Sequence, residues 1–328
     1  MPKQSISTVQ PHEDYGFFGP DSPTWKVWTY PTALSIGFQR SVVVEELDPF
    51  LLAAVNSRRG IYTNPRRRYD RTIRYFATIA VGDSRTAIQA SELLVRVHAK
   101  ATGTEPVSGQ PFDANDPDSQ LWIHLTGWHS VLKAYETYGP GKLPPDEEAQ
   151  YWEECAIAAE LQTCDPDKVP RTREGVRQYF AEMRPRLAAT ELTQSTMRYL
   201  LDGSRVLIDE KTPWYLRGLY KTAGLGMAVA TLATMPRYMH ELAGVRVPRP
   251  ALAAIKPLTK LSMRALQSPP AKIWLVRLVS PSTVPVIEPI ARNIAPKELK
   301  TLSPEQARTL YGTLPPKELH QQYLSTAA

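Results

Sequence analysis

The chain of 328 residues is long enough for one large domain or two small ones, and its 42% hydrophobic and 22% charged residues are typical of a globular protein. A net charge of +6 is only mildly basic, and no run combines dense Lys and Arg with interleaved aromatic residues, so we expect no nucleic-acid partner. Two cysteines, Cys155 and Cys164, cannot form a disulfide framework or a four-cysteine zinc site. The polar N-terminus does not resemble a signal peptide, so we expect a cytoplasmic protein with reduced thiols.

An irregular arm is predicted over residues 1–34, where prolines and glycines separate short aromatic stretches that can pack on the body. Amphipathic patterns follow, with a helix over residues 43–57 that is interrupted near Pro49 and a second helix that ends at Gly82. Strand alternation is scarce along the chain, and no internal repeat occurs. The pattern therefore predicts an all-α protein whose short helices are separated by proline-marked turns.

Helix-capping residues mark the boundaries of the two helices that follow. Asp83 or Ser84 is placed to cap the first of these helices, and Gly103 is placed to end it. Asp116 is placed to cap the second helix, with a proline at the first helical position, and Gly139 follows its end.

Residues 222–235, TAGLGMAVATLATM, form the longest stretch without a charged side chain. Fourteen residues are too few to span a bilayer, so a buried core helix is the favoured interpretation. A peripheral contact between this helix and a membrane is the alternative. Residues 246–328 alternate helices with proline-rich joints, and we expect them to pack on the preceding body as a C-terminal extension.

Two of the six histidines lie on the apolar faces of predicted helices. At about 100° per residue, His98 falls on the side of Ala87 and Leu94, away from the charged residues of its helix. On the next helix, His124 lies about 60° from the centre of the apolar stripe. The other four histidines show no such inward direction: His12, His129, His240 and His320.

A buried neutral imidazole needs a hydrogen-bond partner or a metal to ligate, and most lone inward histidines are core residues. Zinc requires three or four close ligands and the di-iron carboxylate pattern requires Glu-x-x-His, and the sequence offers neither. Haem requires one helical histidine, an apolar slot and cations for its propionates. His98 can be the helical histidine, although many helical proteins could meet these requirements. A non-haem metal hydrolase lacks support, because no GxSxG or HExxH motif occurs.

Three segments in this order resemble the catalytic domain of the rubber-oxygenase (latex clearing protein) and MpaB-type oxygenase family: RYDRTIRYFATIAVGD, LLVRVHAKATG and PFDANDPDSQLWIHLTGWHSVLKAYETYG. The most specific pieces are RVH followed by a glycine, and the DP…LWIH segment. The resemblance assigns residues 35–245 to this domain. It implies an all-α, globin-like arrangement of helices around a pocket for haem b.

We also expect roles at or near the haem for four residues of this chain. His98 matches the family's proximal ligand of the haem iron and is therefore the expected metal ligand. His124 is expected beside the site, and Arg71 and Tyr75 are expected as further cofactor-binding residues.

Catalytic roles fall to an arginine and a threonine that the family places four residues apart on an earlier helix. Arg68 and Thr72 match this spacing and are preferred because their distance from the proximal histidine fits the family better, with Arg74 and Thr78 as the alternative register. The family's distal acidic residue has no secure match, and Glu46 is a candidate only by proximity. Activity on polyisoprene is therefore not implied.

The leading hypothesis is a haem-dependent oxygenase that uses dioxygen on an apolar isoprenoid, lipid or terpenoid substrate. In this hypothesis Arg68 stabilises charge that develops on dioxygen, and Thr72 relays a proton or orients the arginine. One alternative is a non-catalytic haem carrier or gas sensor. Another is a helical scaffold or lipid-binding protein in which both inward histidines are only core residues.

Overall fold

The computed structural model describes residues 9–57 and 60–327, and helices dominate this part of the chain. The α-helices are, in chain order, α1 (Pro23–Trp28), α2 (Phe38–Val44), α3 (Pro49–Ser57), α4 (Gly60–Thr63), α5 (Pro65–Val81), α6 (Ser84–His98), α7 (Pro117–Tyr138), α8 (Pro145–Ala159), α9 (Arg173–Met183), α10 (Glu191–Leu201), α11 (Ser204–Leu207), α12 (Trp214–Leu232), α13 (Arg237–Leu242), α14 (Arg249–Ala265), α15 (Pro269–Val279), α16 (Val284–Ala291), α17 (Pro304–Tyr311) and α18 (Pro316–Ala327). Short turns of π or 3-10 helix occur at Ala33–Gly37, Glu45–Leu47, Pro166–Lys168, Arg184–Arg186 and Pro281–Thr283. The prediction of an all-α protein is confirmed.

One antiparallel hairpin lies between α6 and α7, with β1 (Thr102–Thr104) paired to β2 (Pro111–Asp113). The prediction that Gly103 ends the preceding helix is wrong, because α6 ends at His98 and Gly103 lies in the hairpin opposite Phe112. A Cβ atom at position 103 would lie 2.8 Å from the Phe112 ring, so only a glycine permits this close approach. The hairpin therefore begins four residues after the expected metal ligand.

The predicted capping residues behave as expected. The Asp83 side chain accepts a hydrogen bond from the backbone N–H of Thr86 at 2.8 Å, and Asp116 accepts one from Ser119 at 2.9 Å. The interruption predicted near Pro49 is also present, since a 3-10 turn separates α2 from α3. These local signals position the starts of α3, α6 and α7.

An aromatic core joins α1, α5, α7 and α8. Trp28 stacks on Phe76 with the ring centroids 6.3 Å apart, and it meets Trp128 edge-on at 5.5 Å. The Tyr151 hydroxyl donates a hydrogen bond to the carbonyl oxygen of Trp128 at 2.9 Å. Because large buried aromatic rings dominate core energetics, this cluster holds α5 and α7, the two helices that carry most of the predicted site residues.

The arm before α1 is tied to distant parts of the chain. Backbone hydrogen bonds join residues 12–16 to residues 297–302, and the Asp14 carboxylate accepts a hydrogen bond from the backbone N–H of Ser84 at 2.8 Å. His12 is buried as a result, so the prediction that it has no inward direction is wrong. A tertiary strand-like pairing buries this residue, and helical periodicity cannot reveal such a pairing.

Helix α12 contains most of the long uncharged stretch. The prediction that residues 222–235 form a buried core helix holds only for the C-terminal part, where Ala230 and Leu232 are buried, whereas Leu225 is 66% exposed. Helices α11 and α14 pack against α12 and leave the outer side of its first half open. Within residues 9–57 and 60–327, no helix combines the length and the apolar content needed to cross a bilayer.

Candidate functional site

The expected ligand His98 is the last residue of α6, and its side chain is half-buried. Its Nδ1 atom lies 3.2 Å from Nε2 of Gln120, and the same amide nitrogen donates to the carbonyl oxygen of Ala114 at 2.6 Å. Burial and the nearby Arg68 cation lower the pKa of His98 to about 4, so the ring is neutral at pH 7. A neutral imidazole has a nitrogen lone pair that can bind a metal ion.

Gln120 is a site residue that the sequence reasoning missed. It lies in the first turn of α7, which the Asp116 cap positions, and its side chain is buried. A signal was present, because Gln120 precedes the inward His124 by four residues and therefore shares its helix face. A buried amide on an apolar face needs partners, and here His98 is one of them.

Glu45 and Glu46 lie on the 3-10 turn between α2 and α3, close to the charge of Arg68. Glu46 is 2% exposed, and its Oε2 atom has no hydrogen-bond partner in the part of the chain that the structure describes. Burial and the neighbouring Glu45 raise the pKa of Glu46 well above its usual value, and Arg68 opposes them. Burial likewise raises the pKa of Glu45 to about 7. Burial therefore favours the protonated form of Glu46, and Glu45 is divided between its two protonation states near pH 7.

Arg68 lies near the N-terminus of α5, and its charge acts on His98, Glu45 and Glu46. No hydrogen bond or ion pair of its guanidinium group occurs within residues 9–57 and 60–327. Its backbone carbonyl oxygen accepts a hydrogen bond from Thr72 Oγ1 at 3.0 Å. Because its guanidinium group forms no such bond or pair, Arg68 can pair with an anionic ligand.

The alternative arginine and threonine lie elsewhere on α5. Arg74 is exposed, and its charge is not among the causes that shift the pKa of His98. Thr78 is buried, and its hydroxyl group has no hydrogen-bond partner among the described residues. The arginine that shares an electrostatic environment with His98 is therefore Arg68.

The remaining two predicted residues on α5 have different surroundings. Arg71 is exposed and lies one helical turn after Arg68. Tyr75 is half-buried, and its hydroxyl donates a hydrogen bond to the carbonyl oxygen of Leu161 at 3.1 Å. The structure thus places Arg71 at the surface and Tyr75 against the segment that follows α8.

His124 lies in a closed hydrogen-bonded setting on α7. Its Nε2 atom is 2.7 Å from the carbonyl oxygen of Cys155, and the Gln162 side chain donates to its Nδ1 atom at 2.8 Å. Burial lowers the pKa of His124 to about 4, so this ring is also neutral at pH 7. Both ring nitrogens already have partners within the protein, which distinguishes His124 from His98.

Two cavities adjoin these elements. A cavity of about 410 Å³ lies between the end of α8 and the start of α18. A second cavity of about 230 Å³ lies between α3, the hairpin tip and the start of α10. Its lining is mainly apolar: Pro49, Leu52, Ala53, Pro106, Val107 and Leu192. Neither cavity is lined by His98, Arg68 or Glu46, but the hairpin that follows His98 contributes one wall of the apolar one.

Comparison with known families decides the identity of the matched region. Residues 25–268 match the family described as ER-bound oxygenase mpaB/B′/Rubber oxygenase, catalytic domain, and this match spans more than half of the 328 residues. The chain belongs to this oxygenase family. The resemblance inferred from the three sequence segments is thereby confirmed. Comparison with curated proteins and with solved structures finds no match.

The mpaB/rubber-oxygenase catalytic domain contains every predicted site residue, because α2 to α7 lie within residues 25–268. Membership of an oxygenase family implies a small-molecule substrate and dioxygen. Helices α15 to α18 lie beyond the matched residues, although α17 and α18 pack against α6.

Proposed function

We propose that this oxygenase-family chain uses haem b and dioxygen to oxidise an apolar isoprenoid, lipid or terpenoid substrate. The observation that carries the proposal is the neutral, half-buried His98 close to the charge of Arg68, whose guanidinium group forms no ion pair among the described residues. Family membership supports an oxygenase activity. The haem and the apolar substrate are the parts that this proposal adds.

The donor set at the site suits haem better than it suits a metal ion held by side chains alone. No group of three or more His, Cys, Asp or Glu side chains that could hold a metal ion occurs among residues 9–57 and 60–327. Zinc and non-haem iron need several protein ligands, whereas a porphyrin supplies four nitrogens and would need only one imidazole from the protein. His98 has an uncommitted ring nitrogen, Nε2, and lies close to the charge of Arg68.

His98 would bind the iron through its Nε2 atom. That nitrogen then has no proton, so the ring proton lies on Nδ1, where the carbonyl oxygen of Ala114 can accept it. Such a partner fixes the tautomer and the orientation of a metal-binding histidine. Bound haem would supply the activation of dioxygen.

Arg68 and the two glutamates would manage charge and protons. Arg68 would stabilise negative charge that develops next to it. Burial raises the pKa of Glu46, which favours a proton on its carboxyl group, and Glu45, with a pKa of about 7, can exchange a proton near neutral pH. Thr72 already donates its hydroxyl proton to the Arg68 carbonyl, so we assign it a positioning role.

The other predicted residues would support the cofactor from further away. Arg71, exposed one turn from Arg68, is suited to pair with a propionate carboxylate. Tyr75 and His124 would hold α5 and α7 in place through their hydrogen bonds to the segment around α8.

The substrate and the macrocycle both need space. The apolar cavity formed by α3, the hairpin tip and α10 offers a site for an apolar substrate. The macrocycle would lie beside His98, outside both of these cavities.

The test is an absorption spectrum of the purified protein after addition of haem, followed by oxygen uptake with apolar substrates. We expect a Soret band in the wild-type protein and its loss in His98→Ala, with His240→Ala on α13 as the matched control. A wild-type protein without any Soret band would overturn the cofactor assignment. A stable haem complex that consumes no oxygen with any apolar substrate would instead favour the haem carrier.

A further inference from the structure

The positive charge of the chain is concentrated in one segment. Residues 211–287 contain eleven Lys and Arg residues but a single acidic residue, Glu241. Since the whole chain carries a net charge of +6, the rest of the molecule is net acidic. Helices α12, α14 and α15 all lie in this segment and contain no acidic residue.

Helix α14 has three distinct sides. Thr259 and Met263 are buried and mark the side that packs on the body. At about 100° per residue, Leu261 lies roughly 160° around the helix from Thr259 and therefore points away from the body. The outward leucines Leu258 and Leu261 are 62% and 68% exposed. The basic side chains follow a separate stripe between the buried and the outward sides: Arg249, Lys256, Lys260 and Arg264.

Helix α12 packs against α14 and adds a second set of exposed apolar side chains. Trp214 at its start is 83% exposed, and Tyr215, Leu219 and Leu225 are each more than 60% exposed. Large apolar side chains exposed on two adjacent helices are uncommon on a surface that meets only water. Tryptophan and tyrosine have an apolar ring with a polar tip, which suits the boundary between water and an apolar phase.

The basic side chains of these two helices are available to a partner. No ion pair within residues 9–57 and 60–327 involves a Lys or Arg of α12 or α14, although basic residues elsewhere form many such pairs. Unpaired cations that flank outward leucines and a tryptophan match the two components of an anionic bilayer, namely its phosphate headgroups and its acyl chains.

We propose that α12 and α14 form a docking surface for an anionic lipid bilayer, to which the molecule binds peripherally. Leu258, Leu261 and Leu225 insert at the level of the upper acyl chains, with Trp214 at the headgroup boundary, and the basic stripe contacts the lipid phosphates. This inference is independent of the haem assignment, because it uses none of the site residues.

Two other occupants fit the surface less well. A second copy of the chain would bring one basic surface against another, because neither helix has an acidic side chain to offer. A nucleic acid would satisfy the basic stripe but would leave the outward leucines without an apolar partner. A bilayer accounts for both sets of side chains.

The experiment is co-sedimentation of the full chain with vesicles of phosphatidylcholine alone or with one third phosphatidylglycerol. We expect binding to the anionic vesicles that weakens at high salt. The double variants Lys256→Gln/Lys260→Gln and Leu258→Ser/Leu261→Ser should each lower the apparent affinity about tenfold or more. The lysine variant loses two basic residues, each of which contributes about 1 kcal/mol near an anionic surface. The leucine variant loses the side chains that insert among the acyl chains.

Matched controls carry the same changes at other exposed positions. Lys142→Gln/Lys317→Gln and Leu299→Ser/Leu310→Ser should bind like the wild-type protein. All eight substituted side chains are exposed, so circular dichroism should show unchanged folding.

Any of four results would overturn the proposal. Three of them are no binding to anionic vesicles, equal binding to both vesicle types, and variants that bind like the wild type. The fourth is binding to DNA that competes with vesicle binding and is unaffected by the leucine substitutions. A dimer in light scattering that the leucine changes dissociate would assign the surface to self-association instead. The Soret band of haem-loaded protein should be the same in all variants. A failure of the lipid-binding proposal can therefore be distinguished from a failure of the haem assignment.

Discussion

The two inward histidines, His98 and His124, have the same pKa of about 4 but lie in different surroundings. His124 is fully buried, and a backbone carbonyl and the Gln162 amide occupy its two ring nitrogens. His98 is half-buried, has one nitrogen near Gln120, and lies in the electrostatic environment of Arg68. A depressed histidine pKa therefore does not by itself indicate a ligand site, and the number of uncommitted ring nitrogens separates the two cases.

The largest expected effect tests the role of the Arg68 charge near His98. Arg68→Leu should lower the oxygenase rate by about 10²-fold to 10³-fold, because a preorganised cation next to developing charge is typically responsible for this much. The matched variant Arg74→Leu removes an exposed charge from the same helix and should leave the rate within about twofold. Oxygen uptake under identical haem loading measures both. Equal losses of rate in the two variants would contradict the choice of Arg68 and Thr72 over Arg74 and Thr78.

The second prediction uses stability to separate the histidines. His124→Leu should lower the free energy of unfolding by about 2–4 kcal/mol, because it removes the hydrogen bond to the Cys155 carbonyl and the buried contact of the Gln162 amide. His98→Leu should cost about 1 kcal/mol or less, since the Gln120 amide keeps its bond to Ala114. Urea unfolding of both variants without added haem measures the difference. A larger loss at His98 would mean that the structural histidine has been assigned to the wrong position.

The third prediction concerns acid. A histidine with a folded pKa of about 4 and an unfolded pKa of about 6.5 binds fewer protons in the folded state between these values, so stability falls as pH decreases through this window. For the fully buried His124 the loss between pH 6.5 and pH 4 is about 3 kcal/mol. We expect the slope of stability against pH to be reduced in His124→Gln. An unchanged slope would contradict the assigned protonation state.

The smallest expected effect comes from Glu46 and has the opposite sign. Its pKa is raised in the folded protein, so the folded state keeps a proton that the unfolded state loses, and stability falls as pH rises above the unfolded value of about 4.3. Glu46→Gln should match the wild type near pH 4 and exceed its stability near pH 8. Glu298→Gln, which changes an exposed carboxylate, is the control. A variant less stable than the wild type at pH 8 would show that the folded protein contains an ionised Glu46.

The sequence predicted the candidate site in part. Helical periodicity indicated that His98 and His124 point inward, and the family resemblance supplied Arg68 and Thr72. Gln120 and Glu45 were not predicted as site residues, because their place in the site depends on contacts with residues far away in the chain. The same holds for the outer side of α12, whose uncharged composition suggested a buried helix.

By itself, the sequence determined the all-α class, the capped starts of α6 and α7 and the family, because these depend on residues within a few positions of one another or on ordered motifs. The tertiary structure alone decided which of the two inward histidines keeps an uncommitted nitrogen, why the pKa of Glu46 is raised and which side of α14 faces outward. Burial, charge and hydrogen-bond partners come from segments that are distant in the chain and adjacent only in the fold. Local patterns therefore cannot encode them.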